Sequence, residues 1–131
     1  MSIAMNLEIE SGVSIEKLAS IFRQIGQDGT IEGGLLTGNF SDSNAFFTFF
    51  CPPAAVDVSA EGLDVCWQAG LVGAIHCPVS FLVEAQADIA ALLVALEKET
   101  AARFVLSFQY ETIYAVRDEV GLVFHKSMLE A

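Results

Sequence analysis

The chain has 131 residues, of which 53 % are hydrophobic, and its 17 Asp and Glu against 6 Lys and Arg give a formal net charge of −11 at pH 7. With 10 phenylalanines it has enough apolar side chains for a core, so it is not a disordered acidic tail. No Lys or Arg occurs between Arg23 and Lys98. This excludes nucleic-acid binding, because contacts to phosphates need clustered cations.

The same distribution of charge disfavours adhesion to an anionic membrane surface. No apolar run approaches the roughly 20 residues of a membrane helix, and the first residues lack the basic and apolar regions of a signal peptide. The three cysteines are widely spaced and odd in number, unlike a disulfide framework. Together these features predict a cytoplasmic protein with reduced thiols and a single domain over residues 1–131.

The first elements are predicted from local signals. Residues 1–13 are interpreted as a lead-in, with an edge strand over 4–9. Ser14 is a helix N-cap residue, and the helix over 15–25 places its apolar side chains on one face. Gly26 is a typical residue after a helix end.

Two strands follow in the next stretch. Residues 31–37 form a weak strand that Gly33 and Gly34 loosen. Residues 45–51 form a second strand, which ends at a proline pair because proline cannot donate to a sheet. Its phenylalanines alternate, so two of them point to each side of the sheet. Either both sides are covered, or one side is apolar and exposed.

Alternating apolar residues over 63–83 predict strand structure, but the stretch is too long for one strand. We therefore predict a hairpin that turns over residues 70–72, where glycines flank the turn. This register places Cys66 opposite His76, with Asp64 nearby. A thiol–imidazole nucleophile lacks an oxyanion donor here, and a metal site lacks paired ligand spacing. A small, half-buried thiol beside a hydrogen-bonded surface histidine is the favoured interpretation, so we predict no catalytic residue and no metal site.

The second half begins with a helix over 86–100, rich in Ala, Leu and Glu. Residues 103–110 and 112–117 are predicted strands, and 122–125 a last strand or short helix. The fold class is therefore α+β, with a mostly antiparallel sheet of about 5–7 strands and two principal helices packed on it. The glycines near residue 30 do not form a phosphate-binding loop, and no cofactor is predicted.

The surface offers the clearest indication of function. Acidic side chains beside exposed aromatic ones suit the binding of a basic protein, since opposite charges speed encounter and aromatics supply affinity. The alternative is that the net charge only keeps the protein soluble. Trp67 is interpreted as a core residue rather than an anchor. The candidate partner-binding residues are Asp28, Glu32, Phe40, Asp42, Asp57, Glu61 and Asp64.

The closing stretch YETIYAVRDEVGLVF, residues 110–124, resembles the C-terminal strand–turn segments of bacterial immunity proteins, which neutralise secreted toxins. That resemblance covers about a tenth of the chain. It implies inhibition by occlusion, in which an acidic surface covers a basic surface of the toxin. It carries over no individual binding residue.

Two alternatives remain. The order of helices and strands is similar to that of class I type III secretion chaperones, which implies a homodimer that binds an effector segment. Those chaperones usually end on a helix, whereas residues 103–125 here favour strands. The third hypothesis is a small isomerase or hydratase with an acid in an apolar pocket beside a tyrosine. Tyr110 or Tyr114 would supply the tyrosine, and the sequence does not select the acid.

Overall fold

The computed structural model describes residues 1–129 as a nine-stranded sheet with two helices on one of its faces. The helices are α1 (Ile15–Gln24) and α2 (Leu82–Glu99), and a 3-10 turn at Val79–Phe81 leads into α2. The strands are β1 (Ser2–Glu10), β2 (Gly29–Glu32), β3 (Leu35–Asn39), β4 (Phe46–Phe50), β5 (Val56–Asp57), β6 (Gln68–Pro78), β7 (Phe104–Phe108), β8 (Thr112–Arg117) and β9 (Leu122–Phe124). The predicted α+β class is confirmed, with more strands than expected.

The strands lie in the order β2-β3-β4-β6-β1-β7-β8-β9, with β5 paired to β6, and every neighbouring pair is antiparallel. The prediction of an edge strand over 4–9 is wrong, because β1 lies in the middle of the sheet between β6 and β7. Both partners come from far along the chain. Nothing near residues 2–10 in sequence indicates them.

Helix α1 forms as its sequence predicts. The Ser14 hydroxyl accepts a hydrogen bond from the Lys17 amide at 3.0 Å, and Gly26 follows the last turn with φ of +82°. Helix α2 begins at Leu82 rather than near residue 86. Its inner side packs on the sheet through aliphatic residues such as Ile89 and Leu92.

The predicted hairpin over 63–83 is wrong, because β6 runs without a turn from Gln68 to Pro78. Gly70 and Gly73 mark close contacts instead. A Cβ on Gly73 would lie 2.2 Å from Cδ1 of Phe49 and 2.3 Å from the carbonyl oxygen of Thr48, both on β4. The length of β6 follows from its central place, since it pairs with both β1 and β4.

The weak strand predicted over 31–37 is a hairpin of two strands, β2 and β3. Gly33 and Gly34 form its turn with φ of +59° and +79°. Glycine adopts these angles without steric cost, and two successive positive angles match the turn that joins twisted antiparallel strands.

The main core lies between the helices and the sheet, and phenylalanines fill one end of it. The Phe22 ring on α1 stacks on Phe47 of β4, with centroids 4.1 Å apart, and lies 6.0 Å from Phe49. A second, smaller core lies on the opposite face of the sheet. Here the connection from β4 to β6, residues 51–67 (the covering segment), packs Ala60 and Trp67 against β7.

Candidate functional site

The covering segment leaves part of the sheet uncovered on the face opposite the helices. Along β4 the side chains alternate, so Phe47 and Phe49 are buried while Phe46 and Phe50 are 41 % and 45 % exposed. Strand pairing places Leu35, which is 40 % exposed, beside Phe50. We call this surface the open face; its residues are Leu35, Thr37, Phe46, Thr48, Phe50, Val72, Ala74 and His76.

The open face is a largely apolar surface assembled from three separate stretches of sequence, β3, β4 and β6. Phe50 pairs across to Val72, and Phe46 to His76, whose ring stacks at 6.2 Å between centroids. Scattered exposed apolar residues are ordinary on proteins, but neighbouring ones on one face indicate a binding surface. The sequence left two alternatives for the alternating phenylalanines of β4, and the exposure of Phe46 and Phe50 agrees with the one in which one side of the strand is apolar and exposed.

The six predicted acidic residues are all exposed, but they do not form one cluster, and strand pairing places only Glu32 directly beside the open face. Glu32 pairs with Leu35 at one end of the open face. Asp57 lies on β5 beside β6, where it accepts a hydrogen bond from the Gln68 amide at 2.9 Å. The other four lie on connections: Asp28 before β2, Asp42 between β3 and β4, and Glu61 and Asp64 on the covering segment.

Phe40 does not belong to this surface, so its prediction as a partner anchor is corrected. Its side chain is fully buried and packs against Phe22 and Phe47, with centroid distances of 5.6 and 5.4 Å. Phe40 lies just after β3, where the chain turns toward the helices. The prediction that Trp67 is a core residue agrees with its 7 % exposure.

Glu8 is a buried acid that sequence reasoning missed. It lies on β1 between Val72 and Val105 of the neighbouring strands and is 2 % exposed. Its carboxylate accepts hydrogen bonds from the amides of Ser59 at 2.7 Å and Ala60 at 3.1 Å, which fasten the covering segment to the sheet. The interpretation of β1 as an edge strand hid it, because even positions of an edge strand are usually solvated.

Burial raises the pKa of Glu8 above its ordinary value, and the two amide hydrogen bonds only partly oppose this. Tyr110 lies close to Glu8. Burial, and after it the negative charge of Glu8, raise the pKa of the Tyr110 hydroxyl. A buried acid beside a tyrosine is the pair that an isomerase would need. The carboxylate oxygens are, however, both engaged by the covering segment, and Glu8 lines none of the three clefts described below.

The turn that carries Tyr110 holds unusual backbone angles. Gln109 and Tyr110 have φ of +51° and +65°, and the Glu111 amide donates to the Phe108 carbonyl at 2.9 Å. Such angles cost non-glycine residues about 1–2 kcal/mol each. In this conformation the Tyr110 carbonyl accepts a hydrogen bond from the Glu61 amide at 2.6 Å. The turn therefore provides a second attachment for the covering segment.

The raised pKa of Glu8 predicts a pH dependence of stability. The folded protein binds the proton of the Glu8 carboxyl more tightly than the unfolded chain does, so protonation of Glu8 stabilises the fold. This stabilisation is fully present below the ordinary glutamate pKa of about 4.3 and is lost as pH rises through the raised pKa. Between pH 4 and 7 the free energy of unfolding of the wild type should therefore fall relative to that of Glu8→Gln, and urea unfolding at each pH measures the difference. Glu61→Gln removes one charge from an exposed site and serves as the control; parallel curves for wild type and Glu8→Gln would contradict the prediction.

The predicted cluster of Cys66, His76 and Asp64 does not form. Cys66 lies before β6 and accepts a hydrogen bond from Nη1 of Arg103 at 3.6 Å, whereas His76 lies near the other end of β6. Arg103 also binds the Glu10 carboxylate, through Nη2 at 2.7 Å and Nε at 3.1 Å. Among residues 1–129, no three His, Cys, Asp or Glu side chains come together as a metal site.

The three cysteines are free thiols in different surroundings. Cys51 and Cys66 are exposed, and Cys77 is buried on the helix side of β6. Burial raises the pKa of the Cys77 thiol to about 11, and the nearby Asp88 carboxylate adds to the rise. Cys77 is therefore a core residue and not a reactive thiol.

Three clefts lie away from the open face. One of about 380 Å³ separates α2 from residues 124–128 and includes Tyr114 and His125. One of about 260 Å³ lies beside Arg103, under residues 63–67. The third, of about 480 Å³, is a groove between the end of α1 and the outer side of α2. None gathers an acid, a base and a nucleophile with the geometry of a catalytic site.

The fold and surface thus define an acidic α+β domain with a partly uncovered antiparallel sheet. No protein-family model, curated protein or solved structure matches the chain.

Proposed function

We propose that this protein is a cytoplasmic protein-binding module whose open face binds a basic protein, most specifically a bacterial toxin that it inhibits by occlusion. The observation that carries the proposal is the exposure of Leu35, Phe46 and Phe50 on one sheet face, with Glu32 paired to Leu35 at its end. A side chain of this size, exposed at 40–45 %, is a favourable anchor when a partner removes it from water.

The charge pattern supports a basic partner. The strands and connections from β2 to β6 contain acids but no Lys or Arg, and Arg103 of the following segment approaches this span at Cys66. Negative charge around an apolar centre speeds the encounter with a positive surface and disfavours acidic partners. A toxin that acts on nucleic acid or another anionic substrate has such a positive surface, because it must bind phosphate.

The immunity interpretation is also supported by the resemblance of residues 110–124. That stretch forms β8, the turn at Asp118 and β9 at the far edge of the sheet. Inhibition by occlusion requires only a rigid surface and no catalytic group. The strands that carry the open face are held by the phenylalanine core behind them, which provides that rigidity.

The test is binding to the product of the gene directly upstream. Co-expression should yield a complex and rescue cells from that product. Phe50→Ser should weaken binding by about 30-fold or more, as expected for loss of an aromatic hot spot of 2 kcal/mol or more, without lowering the melting temperature by more than a few degrees. Phe124→Ser is the matched control, since Phe124 is 50 % exposed on β9.

Three further outcomes decide the proposal. Affinity should fall between low and high salt, because steering by exposed charge is screened. Equal binding by the wild type and Phe50→Ser would remove the open face as the docking surface. A complex limited to the N-terminal segment of an effector would instead favour the secretion-chaperone alternative.

A further inference from the structure

The outer face of α2 is unusually apolar for a helix exposed to water. The side toward the sheet holds the buried residues Ile89, Leu92 and Leu96. The opposite side should carry charges, yet the helix positions there are Val83, Ala87, Ala90, Ala91 and Val94. Val83 and Val94 are 63 % and 52 % exposed. We call these five residues the α2 face.

Within residues 1–129, the segment Val79–Glu99 is the only helical one long and apolar enough to cross a membrane by length and composition. This departs from the sequence-based expectation that no stretch approaches that length. Its inner side is, however, part of the core of the sheet, so only the α2 face remains without a partner. Neighbouring exposed apolar side chains on one face of a helix mark a contact surface.

We propose that the α2 face is the contact between two copies of this chain, with the two α2 helices antiparallel across a two-fold axis. In such a contact the same surface of each copy binds its own equivalent. An axis between Ala90 and Ala91 places Ala87 of each copy against Val94 of the other. The alanines at the centre allow the helices to approach closely, since interaxial distances depend on the side chains at the contact.

Charge complementarity indicates that a second copy of the chain binds the α2 face and that the two α2 helices are antiparallel. Glu84 lies in the first turn of α2 and Lys98 in the last. An antiparallel pair brings Glu84 of each copy next to Lys98 of the other, which gives two symmetric ion pairs and opposed helix dipoles. A parallel pair would place like charges together, which is unfavourable.

The distribution of charge also directs self-association to the helices rather than to the open face. Two copies with net charge −11 repel one another, most strongly where acids lack cations. Six acids lie between positions 28 and 64, the span that contains β3 and β4 of the open face, and no Lys or Arg lies between them in the sequence. The two helices carry three cations, Lys17, Arg23 and Lys98, against five acids, so their net charge of −2 is smaller than the −6 of positions 28–64.

Sedimentation equilibrium on the full chain tests the proposal. The wild type should sediment as a dimer at tens of micromolar. Ala87→Glu should weaken dimerisation by about 100-fold or more, because it buries an unpaired charge, and Val94→Glu is the second variant. Circular dichroism should show that both remain folded, since these side chains face solvent in the single chain. Ala54→Glu, an equal change at an exposed site on the covering segment, should remain dimeric.

A charge exchange tests the direction of the helices. Lys98→Glu should weaken the dimer, and the double variant Glu84→Lys with Lys98→Glu should restore it. A wild type that is monomeric at all concentrations, or an Ala87→Glu variant that still dimerises, would overturn the proposal. So would a monomer that binds neutral phosphatidylcholine vesicles through α2, which would assign the face to lipid. Phe50→Ser should leave the dimer intact, so failure here is distinguishable from failure of the proposed partner binding.

Discussion

Replacing Phe47 with alanine is expected to lower the free energy of unfolding by about 3–5 kcal/mol, the range for large-to-small changes at buried aromatics. Its ring stacks on Phe22 and meets Phe40 at 5.4 Å. The backbone is built around it as well: a Cβ on Gly38 would lie 2.5 Å from the ring carbon Cζ of Phe47. Removal of the ring would therefore leave a cavity, and the neighbouring rings and the backbone at Gly38 cannot easily move to close it.

Urea unfolding followed by tryptophan fluorescence measures this loss, since Trp67 is the only tryptophan. Phe46→Ala is the matched control, one residue away on β4 but 41 % exposed. It should cost about 1 kcal/mol or less, as surface changes do. Similar losses for the two variants would show that the assigned sides of β4 are incorrect. Because domains have only about 5–15 kcal/mol of stability, we expect Phe47→Ala to be recovered as folded protein only at low temperature.

Gly73→Ala is expected to lower the melting temperature by about 10 °C, which corresponds to an overpacking cost near 3 kcal/mol for a domain of this size. The new methyl group would meet the Phe49 ring and the Thr48 carbonyl oxygen at distances that real structures do not show. The ring can turn aside, but the oxygen belongs to the β4 backbone. Strand β4 must therefore move away from β6, and it carries Phe46 and Phe50 on the open face.

Differential scanning calorimetry checks the shift. Ala74→Gly, at the next position on β6, removes a methyl group rather than adding one and should cost only about 0.5–1 kcal/mol. A Gly73→Ala variant as stable as the wild type would contradict the close packing of β4 on β6. Partner binding should also fall for Gly73→Ala, and by more than for Ala74→Gly.

Local signals in the sequence predicted local structure well. The N-cap at Ser14, the stop at Gly26 and the strand over 112–117 depend on residues a few positions apart, and the structure confirms each. The prediction of a hairpin over 63–83 was wrong because a glycine within a strand pattern is compatible with two structures. Glycine can permit a turn, or it can permit the close approach of a neighbouring strand. The sequence does not show that Phe49 lies beside Gly73, which is the contact that distinguishes these two structures.

The kinds of residue on the candidate surface could be predicted from the sequence, but their arrangement across neighbouring strands could not. Composition alone indicated exposed acids, and the alternation of β4 indicated phenylalanines on both sides. That Leu35, Phe50 and Val72 lie in one row depends on pairing between strands distant in sequence. Glu8 was missed for the same reason, since its burial depends on β6, β7 and the covering segment together.

The central place of β1 has a consequence for the order of folding. Residues 2–10 are synthesised before both neighbouring strands, and the second of these, β7, is complete only at residue 108. Pairings so far apart in sequence require closure of long loops, and domains dominated by them fold in milliseconds to seconds. During synthesis β1 therefore stays unpaired until β6 is complete at residue 78, and its apolar side chains are exposed to aggregation until then.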